Sequence, residues 1–531
     1  MRTRTRTRTV ALTTAGLIAV VGGAAAQPGV ASAPQAPPPT SSCTPDTSAP
    51  KHQMRGLWVA SVANIDWPSR PGLSPEDAKA ELDDYYELAQ QRGLNSVVVQ
   101  VRPTADTFWP SDLEPWSKWI ASEQGVDPGW DPMEYAVEAA HARGLDFHAW
   151  FNPYRVTLSG TDVSVLDPEH PARLNPDWVV AYGPRLYYDP GVPAAREHTE
   201  NVVMEAVERY DLDGVHFDDY FYPYPIAGQT FDDADTFATY GGDFTDLGDW
   251  RRHNVDTLIE NLDQRIHAAK PAVSFGVSPF AIWRNVATDP EGSDTTAGAE
   301  TYDDLYADTR GWVRNGWVDY IAPQVYWNIG FAPADYAKVV PWWDDVAEGT
   351  DVDLYIGQAT YKVALAGQPA AWHDPLEMVR HLAFNAAYDQ VDGDIWYSAN
   401  QVESNRLGHM DLVQEEFYGR PALPPITDAG SPVSAPRGIS THRVEGGTEL
   451  RWHGQGPHEA DGYAVYRIPG KVRGKVDPCD LVDATNLVAV LGPQQRSWVD
   501  TEPGDGEVSY VLTALSDDNS ESAPSKPVSG R

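Results

Sequence analysis

The chain has 531 residues, of which 42% are hydrophobic and 11% aromatic, and its formal net charge is −38 at pH 7. This length favours two or three structural units, and the composition is that of a globular chain rather than a disordered one. The acidic balance, without any cluster of Lys and Arg, argues against binding to nucleic acid or to an anionic membrane surface.

The first 33 residues have the pattern of a secretory signal peptide. Four arginines among the first eight residues precede an apolar stretch that runs to about Ala26, and small residues follow. This stretch is short for a membrane anchor, and no other segment approaches about 20 apolar residues. We therefore expect an exported protein, secreted or held at the cell wall, that is not inserted in a membrane. Residues 34–51 are rich in Pro and Ser and are predicted to be a linker.

The chain has only two cysteines, Cys43 and Cys479. Two cysteines exclude a disulfide scaffold and a Cys-based zinc site. One disulfide across this long span is compatible with export, and the sequence leaves open whether it forms.

Residues 52–420 alternate short apolar runs with amphipathic helical stretches, the pattern of parallel strands joined by crossover helices. Ser74 and Pro75 mark the start of the first helix, and Gly93 marks its end. Eight strand candidates can be counted, which is the number in a TIM barrel. They begin at Arg55, Ser96, Asp146, Asp213, Val273, Asp319, Asp353 and Gly393. The sequence therefore predicts a (β/α)8 TIM barrel over residues 52–420.

Strand parity predicts which side chains face the barrel interior. Alternate residues of a barrel strand point inward, and the outward residues meet the helices and are apolar. In "DGVHFDDY", Val215 and Phe217 form the outward set, so His216 and Asp218 point inward. Applied to other strands, the rule gives these further inward residues: Gln100, Arg102, His148, Trp150, Asn152, Gln324 and Tyr326. They accumulate toward the C-terminal strand ends, where barrel enzymes have their active sites.

Tryptophans are frequent near the same strand ends. Flat rings stack on the apolar faces of sugar rings, while polar side chains hydrogen-bond the hydroxyl groups. Trp109 and Trp283 lie in loops just past strand ends and are the predicted platforms for a sugar. Some of the other tryptophans are expected to be packing residues.

Asp218 is the first candidate for acid chemistry on a glycosidic bond. Glycoside hydrolysis needs one protonated carboxyl group at the leaving oxygen and one carboxylate that acts as nucleophile or activates water. Asp218 suits either role, because burial would raise its pKa while Arg102 or His216 nearby would lower it. Asp219 has the opposite parity and is expected to support Asp218. The second catalytic carboxyl group stays open among Asp219, Asp66, Asp106, Glu300 and Glu403.

This pattern implies no metal ion and no other cofactor. His148 and His216 face inward on neighbouring strands and can in principle ligate a cation together with Asp218. Barrel histidines more often hydrogen-bond a sugar hydroxyl or a carboxylate, which is the reading we prefer.

A second Pro-rich linker covers residues 421–432, and the pattern then changes to alternating strands without helices. The runs "TELRW", "GYAVYRI", "SWVD" and "VSYVLTAL" are spaced as in a small β-sandwich, with Trp452 and Tyr510 as core aromatics. Residues 433–531 resemble a fibronectin type III domain, which implies a spacer or a binding module without catalytic residues.

Several motifs of the barrel segment together resemble one family. They are "MRGLWVASVANIDWPS", "VQVRPTADTFWPSDLEPWS", "HAWFNPYR", "DGVHFDDYFYPYP" and "IAPQVYWNIG", and they resemble the glycosyl-hydrolase-like 10 family of exported bacterial proteins. The resemblance implies a TIM barrel that hydrolyses glycans and, for characterised relatives, cleaves peptidoglycan glycan strands stripped of their peptides. The motif positions that it implies here are Arg102, Asn152, Arg155, His216, Asp218, Asp219, Gln324 and Tyr326.

Two more distant resemblances leave the mechanism open. "DGVHFDDY" is similar to the "DGxDxDxE" strand of family 18 chitinases, but Tyr220 stands at the position of the catalytic Glu, so that substrate-assisted mechanism lacks its acid. "HFD" is similar to the Arg-x-Asp of α-amylases, with Asp218 at the nucleophile position and His216 replacing the Arg. The amylase acid has no counterpart in "SPFAIW".

The favoured hypothesis is a secreted glycoside hydrolase that cuts glycosidic bonds in bacterial cell-wall glycan, with Asp218 and Asp219 as catalytic residues. Arg102 and Arg155 would pair with the lactyl carboxylates of muramic acid, because guanidinium groups pair bidentately with carboxylates. One alternative is a non-catalytic carbohydrate-binding barrel that attaches to the cell wall. Another is a hydrolase of a different polysaccharide, such as an α-glucan or a galactosaminoglycan. The sequence does not give the oligomeric state or the stereochemical outcome.

Overall fold

The computed structural model describes Cys43 and residues 50–427, 430, 432–453, 460–504 and 506–530. The predicted signal peptide and nearly all of the linker predicted at 34–51 lie outside these described residues. Within the described part of the chain, no helix combines the length and the apolar character needed to cross a bilayer.

The larger unit is a closed barrel of eight parallel strands in the order β1-β10-β9-β8-β7-β6-β3-β2, and this confirms the predicted TIM barrel. An antiparallel hairpin, β4–β5, is inserted after β3. The strands of the described residues are β1 (Met54–Val59), β2 (Ser96–Arg102), β3 (Asp146–Phe151), β4 (Val179–Tyr182), β5 (Arg185–Tyr188), β6 (Gly214–Phe217), β7 (Ser274–Val277), β8 (Tyr320–Ile321), β9 (Asp353–Gln358), β10 (Val391–Tyr397), β11 (Arg437–Val444), β12 (Gly447–His453), β13 (Gly462–Pro469), β14 (Leu487–Leu491), β15 (Ser497–Asp500), β16 (Val508–Leu515) and β17 (Val528–Ser529).

Helices lie between and after the barrel strands and cover the outside of the barrel, except the last helix of the described residues, a short one in the C-terminal unit. The first helix begins as predicted: Ser74 accepts a hydrogen bond from the Asp77 amide, and Pro75 opens the first turn. It stops at Gly93, where φ is +70° and a side chain would meet the Tyr418 carbonyl. The helices are α1 (Pro75–Gln91), α2 (Pro132–His141), α3 (Pro171–Leu174), α4 (Pro193–Arg209), α5 (Ala234–Tyr240), α6 (Leu247–Ala269), α7 (Thr301–Asp304), α8 (Thr309–Asn315), α9 (Tyr336–Ala347), α10 (Glu377–Asn385), α11 (Ala399–Ser404), α12 (His409–Glu416) and α13 (Pro478–Val482).

The barrel has two apolar layers, and strand parity separates them. Outward residues such as Val99, Val215 and Phe217 pack with the helices in one large buried cluster. Inward residues, among them Trp58 and Trp150, form a smaller cluster inside the barrel. The inner cluster fills the barrel, so a substrate can approach only from one end of the strands.

The C-terminal unit is all-β, as predicted. A three-stranded sheet, β11-β12-β15, and a four-stranded sheet, β14-β13-β16-β17, enclose a core that contains Trp452 and Tyr510. Its assignment to the fibronectin type III family stays a prediction. The Asn519 side chain of this unit donates to Asp146 of β3 at 2.9 Å, and a disulfide joins Cys43 to Cys479.

Candidate active site

Asp218 follows β6 directly at the C-terminal end of the barrel strands. Its side chain is 3% exposed, and the Asn152 amide nitrogen donates to both of its oxygens, at 3.1 and 2.9 Å. Burial raises the pKa of Asp218 to about 7, while the Arg155 charge opposes this rise and the Asp219 charge adds to it. A carboxyl group with this pKa can hold a proton near neutral pH and release it to a leaving group.

Asp219 faces the same site, although strict parity would turn it away. Strand β6 ends at Phe217, so alternation no longer governs the residues that follow. The Tyr224 hydroxyl donates to Asp219, and the Gln324 side chain adds a hydrogen bond. Burial raises the pKa of Asp219, whereas these donors act in the opposite direction. The two aspartates therefore form one adjacent pair with different hydrogen-bond partners.

Arg155 supplies positive charge beside the pair. Its guanidinium group lies 4.8 Å from the centre of the Tyr220 ring, and one terminal nitrogen donates to the Pro103 carbonyl at 3.1 Å. Its buried Nε atom has no hydrogen-bond partner among the described residues. The Arg155 amide donates to the Asn152 side-chain oxygen at 2.9 Å, so Asn152 directs its nitrogen at Asp218. Arg155 thus retains donors for an anionic substrate group.

Half-buried aromatic side chains surround the pair at the mouth of the barrel. Tyr326 lies 5.7 Å from Tyr361 and 6.1 Å from Tyr397 between ring centres. The hydroxyl groups of Tyr220, Tyr326 and Tyr397 have no hydrogen-bond partner within the described part of the chain. They are free to donate to a sugar. The aromatic residues at the mouth are Tyr220, Tyr224, Phe280, Tyr326, Trp327, Tyr361 and Tyr397.

The sequence analysis missed Tyr361 and Tyr397. Tyr397 is the last residue of β10 and belongs with the inward cluster, while its neighbour Trp396 packs outward. The parity rule applied to "GDIWYSAN" would have found Tyr397. Tyr361 lies in a short helical turn after β9, where no periodic pattern points to a site.

His216 points inward as expected, but it lies under the site rather than in it. Trp58 Nε1 donates to His216 Nε2 at 3.2 Å, so Nδ1 carries the proton that pairs with the Tyr320 hydroxyl at 2.9 Å. The same hydroxyl pairs with His148 at 3.1 Å. Burial lowers the pKa of His216 well below its usual value, so the ring is neutral. These contacts link both histidines to Tyr320 instead of grouping them with Asp218 as cation ligands.

Arg102 must be removed from the predicted substrate contacts. Its side chain is 0% exposed, and Glu114 accepts two hydrogen bonds from it, at 2.7 and 2.5 Å. The carbonyls of Asn152 and Pro153 accept from its remaining terminal nitrogen. Burial opposes the charged form of Glu114, but the Arg102 charge outweighs it and lowers the pKa of Glu114 to about 2. This buried ion pair stabilises the loops after β2 and β3 and has no group left for a substrate.

The two tryptophans predicted as sugar platforms are buried as well. Trp109 is 0% exposed, and its indole nitrogen donates to Glu205 at 3.0 Å. Trp283 is 5% exposed, lies stacked on Trp342, and donates to Asp308 at 2.8 Å. Neither offers a ring face to a ligand. The tyrosines at the mouth are therefore the candidate stacking platforms for a sugar.

The other candidates for a second carboxyl group are engaged by protein donors or exposed, although Asp66 lies near enough to the site for its charge to raise the pKa of Tyr397. Asp66 accepts from the Ala60 and Asn400 amides and the Ser398 hydroxyl, at 2.8 to 3.0 Å. Asp106 accepts from Thr104 and Gln124, and Glu300 from Asn285 and Thr288. Glu403 is exposed on α11. Asp218 and Asp219 therefore remain the candidates for the acid chemistry of the described site.

The chain is similar to one protein family and to two named glycosyl hydrolases. The family model described as "Glycosyl hydrolase-like 10" matches residues 53–374, and ends before the last barrel strand, β10. Glycosyl hydrolase YngK of Bacillus subtilis (strain 168) is 46% identical over 426 residues, which is 79% of this chain and 83% of that protein. Glycosyl hydrolase DigH of Escherichia coli (strain K12) is 39% identical over 383 residues, 68% of this chain and 86% of that protein.

Among solved structures, the catalytic domain of β-amylase from Paenibacillus polymyxa matches with a TM-score of 0.44 and 10% identity, over 70% of this chain and 99% of that chain.

Proposed function

The chain belongs to the glycosyl hydrolase-like 10 family, and on that premise we propose that this glycoside hydrolase cleaves glycosidic bonds in bacterial cell-wall glycan, with peptide-stripped peptidoglycan strands as the substrate. We propose further that Asp218 and Asp219 carry the chemistry and that the protein acts after export, as the signal-peptide pattern suggests.

One observation carries the proposal: two adjacent aspartates lie beneath a tyrosine-rich mouth at the C-terminal end of the barrel, and burial raises the pKa of Asp218 to about 7. The protonated carboxyl group can donate to the glycosidic oxygen while the other stays ionised. Tyrosine rings and free hydroxyl groups suit the mixed apolar and polar faces of a sugar.

Arg155 supports an anionic glycan in particular. Its guanidinium group lies beside the aspartate pair, and its Nε atom lacks a protein partner. The lactyl carboxylate of muramic acid matches such a group, because a planar guanidinium pairs with a carboxylate through two hydrogen bonds. A neutral glycan would leave this buried donor unpaired, which is unfavourable.

The test is to incubate the mature protein with intact peptidoglycan, peptide-stripped strands and chitin, and to analyse the released fragments by mass spectrometry. We expect release from the stripped strands, and a loss of about 10²–10⁴-fold in rate in Asp218→Asn, because the acid is removed. The exposed Asp243→Asn serves as matched control and should keep full activity.

Wild-type protein that sediments with the glycan but releases no fragments would contradict the proposed substrate. Release from chitin alone would point to a neutral glycan instead. Full activity of Asp218→Asn would move the acid to another residue.

A further inference from the structure

We propose that the nucleophile of the reaction comes from the substrate: the carbonyl oxygen of the 2-acetamido group on the sugar whose bond is cut. Asp218 acts as the acid, and Asp219 holds the acetamido N–H. This inference rests on the proposed function, since both sugars of peptidoglycan strands carry a 2-acetamido group, and it assigns a mechanism and a required substrate group to the same site.

The placement of the carboxyl groups is the first argument. A retaining enzyme with its own nucleophile needs two carboxyl groups about 5–5.5 Å apart across the glycosidic bond, and an inverting enzyme needs about 6.5–9.5 Å with a water between them. Asp218 and Asp219 are neighbours in sequence. Both interact electrostatically with the same three side chains, those of Arg155, Tyr220 and Tyr397. They therefore face the sugar from one side.

None of the four other carboxyl groups that the sequence left open has an oxygen free at the site. The charge of Asp66 raises the pKa of Tyr397, so Asp66 lies near the site, but its oxygens are occupied. Asp66 and Asp106 are buried, and protein donors bind both oxygens of each. Glu300 accepts hydrogen bonds from its own loop, and Glu403 is exposed on the outside of α11. Because these four carboxyl groups are engaged by protein donors or exposed, the mechanism takes the attacking atom from the substrate.

The different surroundings of the two aspartates give them different tasks. Tyr224 and Gln324 both donate to Asp219, which favours its ionised form. Two adjacent buried carboxyl groups resist double ionisation, so the pair shares one proton near neutral pH. The proton then lies mainly on Asp218. An ionised Asp219 can accept from the acetamido N–H while a protonated Asp218 faces the leaving oxygen.

The tyrosines at the mouth supply the remaining contact of the acetamido group, a hydrogen bond to its oxygen. Tyr326 and Tyr397 have hydroxyl groups without a protein partner, and the charge of Asp219 acts on both side chains. Either hydroxyl can donate to the acetamido oxygen and hold it below the anomeric carbon, C1. Tyr220, which stands where family 18 chitinases have their acid, need not supply the proton because Asp218 does.

The steps balance as follows. Asp218 gives its proton to the glycosidic oxygen as the bond from C1 to that oxygen breaks, and the acetamido oxygen bonds to C1. The product is an oxazolinium ring whose N–H donates to the Asp219 carboxylate. Asp218 then takes a proton from water, whose oxygen bonds to C1 as the ring opens. One glycosidic bond and one water are consumed, Asp218 regains its proton, and the anomeric configuration is retained.

The experiment changes only the acyl group of the substrate. Peptide-stripped strands are de-N-acetylated and then re-acylated with either acetyl or trifluoroacetyl groups, and kcat and KM are measured for each. Fluorine withdraws electrons from the carbonyl oxygen, so we expect a kcat roughly 100-fold or more lower on the trifluoroacetyl strands, because the lost interaction forms only in the transition state.

Equal kcat values for the two acylated strands would overturn the substrate-supplied nucleophile while leaving the proposed function intact. If re-acetylated strands are not cut at all, the proposed function fails, and this mechanism fails with it.

A second measurement distinguishes the role of Asp219 from that of Asp218. A thiazoline analogue of N-acetylglucosamine mimics the oxazolinium ring, and its inhibition constant is measured with wild-type protein, Asp219→Asn and the exposed control Glu403→Gln. We expect binding at least about tenfold weaker in Asp219→Asn, because the ring nitrogen loses its ionised partner, and unchanged binding in the control. Equal binding by Asp219→Asn and wild type would overturn the role of Asp219.

Discussion

At the scale of single residues, the decisive feature is how Asp218 and Asp219 differ although they are neighbours. Asn152 donates to Asp218, whereas Tyr224 and Gln324 donate to Asp219. Arg155 lies beside both and stabilises their ionised forms. In the proposed mechanism, different hydrogen-bond partners make Asp218 the acid and keep Asp219 ionised, although the two side chains are chemically identical.

This arrangement predicts the pH dependence of activity. Burial raises the pKa of Asp218 to about 7, and a general acid must be protonated, so kcat should fall as pH rises through about 7. Arg155→Gln removes a charge that lowers this pKa, so the alkaline limb should move to higher pH. The measurement is kcat against pH for wild type, Arg155→Gln and the exposed control Arg437→Gln. An alkaline limb that does not move in Arg155→Gln would contradict the assignment of Asp218 as acid.

The motif position of Arg102 implied that it binds the substrate, but all of its described contacts are with other residues of the protein. Its pair with Glu114 has side chains that are 0% exposed. Removing one partner of a buried pair leaves an uncompensated charge, so we expect Arg102→Met to lower the free energy of unfolding by about 3–5 kcal/mol. Lys338→Gln breaks a surface pair with Asp294 and should cost at most about 1 kcal/mol. Chemical denaturation measures both, and equal small losses would show that the buried pair contributes little.

At the scale of elements, strand ends decide which residues reach the site. Strand β6 ends at Phe217, so the alternation of inward and outward side chains no longer applies to Asp219. Strand β8 has only two residues, Tyr320–Ile321, although the apolar run continues, because Pro323 lacks the N–H that a strand ladder needs. Gln324 and Tyr326 therefore lie in a loop that bends over the aspartate pair.

Helix α6 and strand β8 are joined by an ion triad near the other end of the barrel. His267 contacts Asp263 and Asp319 at 3.0 Å each. Burial opposes its charged form, but these two contacts raise the pKa of His267 to about 10. Because the folded pKa exceeds the unfolded value of about 6.5, the contribution to stability is complete below pH 6.5 and is lost as pH rises to about 10.

We therefore expect the difference in Tm between wild type and His267→Gln to be largest near pH 6 and to shrink toward pH 10. Thermal unfolding followed by circular dichroism at several pH values measures it. The exposed His373→Gln is the control. A difference that is constant over this range would contradict the charged state of His267.

At the scale of the whole molecule, the disulfide joins Cys43, which precedes the barrel, to the C-terminal unit. Cys43 and Cys479 are 436 residues apart in sequence, and Lys51 forms an ion pair with Glu521 of the C-terminal unit. Cys43 and Lys51 are thereby attached to the C-terminal unit, which itself contacts β3 through Asn519. A closed loop of this length restricts the unfolded chain strongly.

Removing the disulfide should lower the stability of the molecule. We expect Cys43→Ser with Cys479→Ser to reduce the free energy of unfolding by about 2–5 kcal/mol, seen as a lower Tm in calorimetry. Wild type in reducing buffer should behave like the double variant, and activity on glycan should be unchanged at low temperature, because the cysteines lie far from Asp218 in sequence and the aspartate pair has no contact with them. An identical Tm with and without reductant would contradict this role.

The sequence by itself determined the fold and the strand that leads to the candidate site. Eight apolar runs alternating with capped helices specify the barrel, since burial of each outward face requires it, and the two-residue period orients His216 and Asp218 inward. Glycoside hydrolysis was implied by the resemblance of several motifs to the glycosyl-hydrolase-like 10 family, and the family comparison supports it.

The tertiary structure alone decided which of the inward or motif residues are available to a substrate. Arg102, Trp109 and Trp283 become buried because Glu114, Glu205 and Asp308, distant in sequence, supply their partners. Tyr361 enters the site from the turn after β9 and Tyr397 from the end of β10, and the end of β6 turns Asp219 beside Asp218. Hydrogen-bond partners and strand ends depend on contacts between segments that are distant in sequence. The periodicity of a single segment does not predict those contacts.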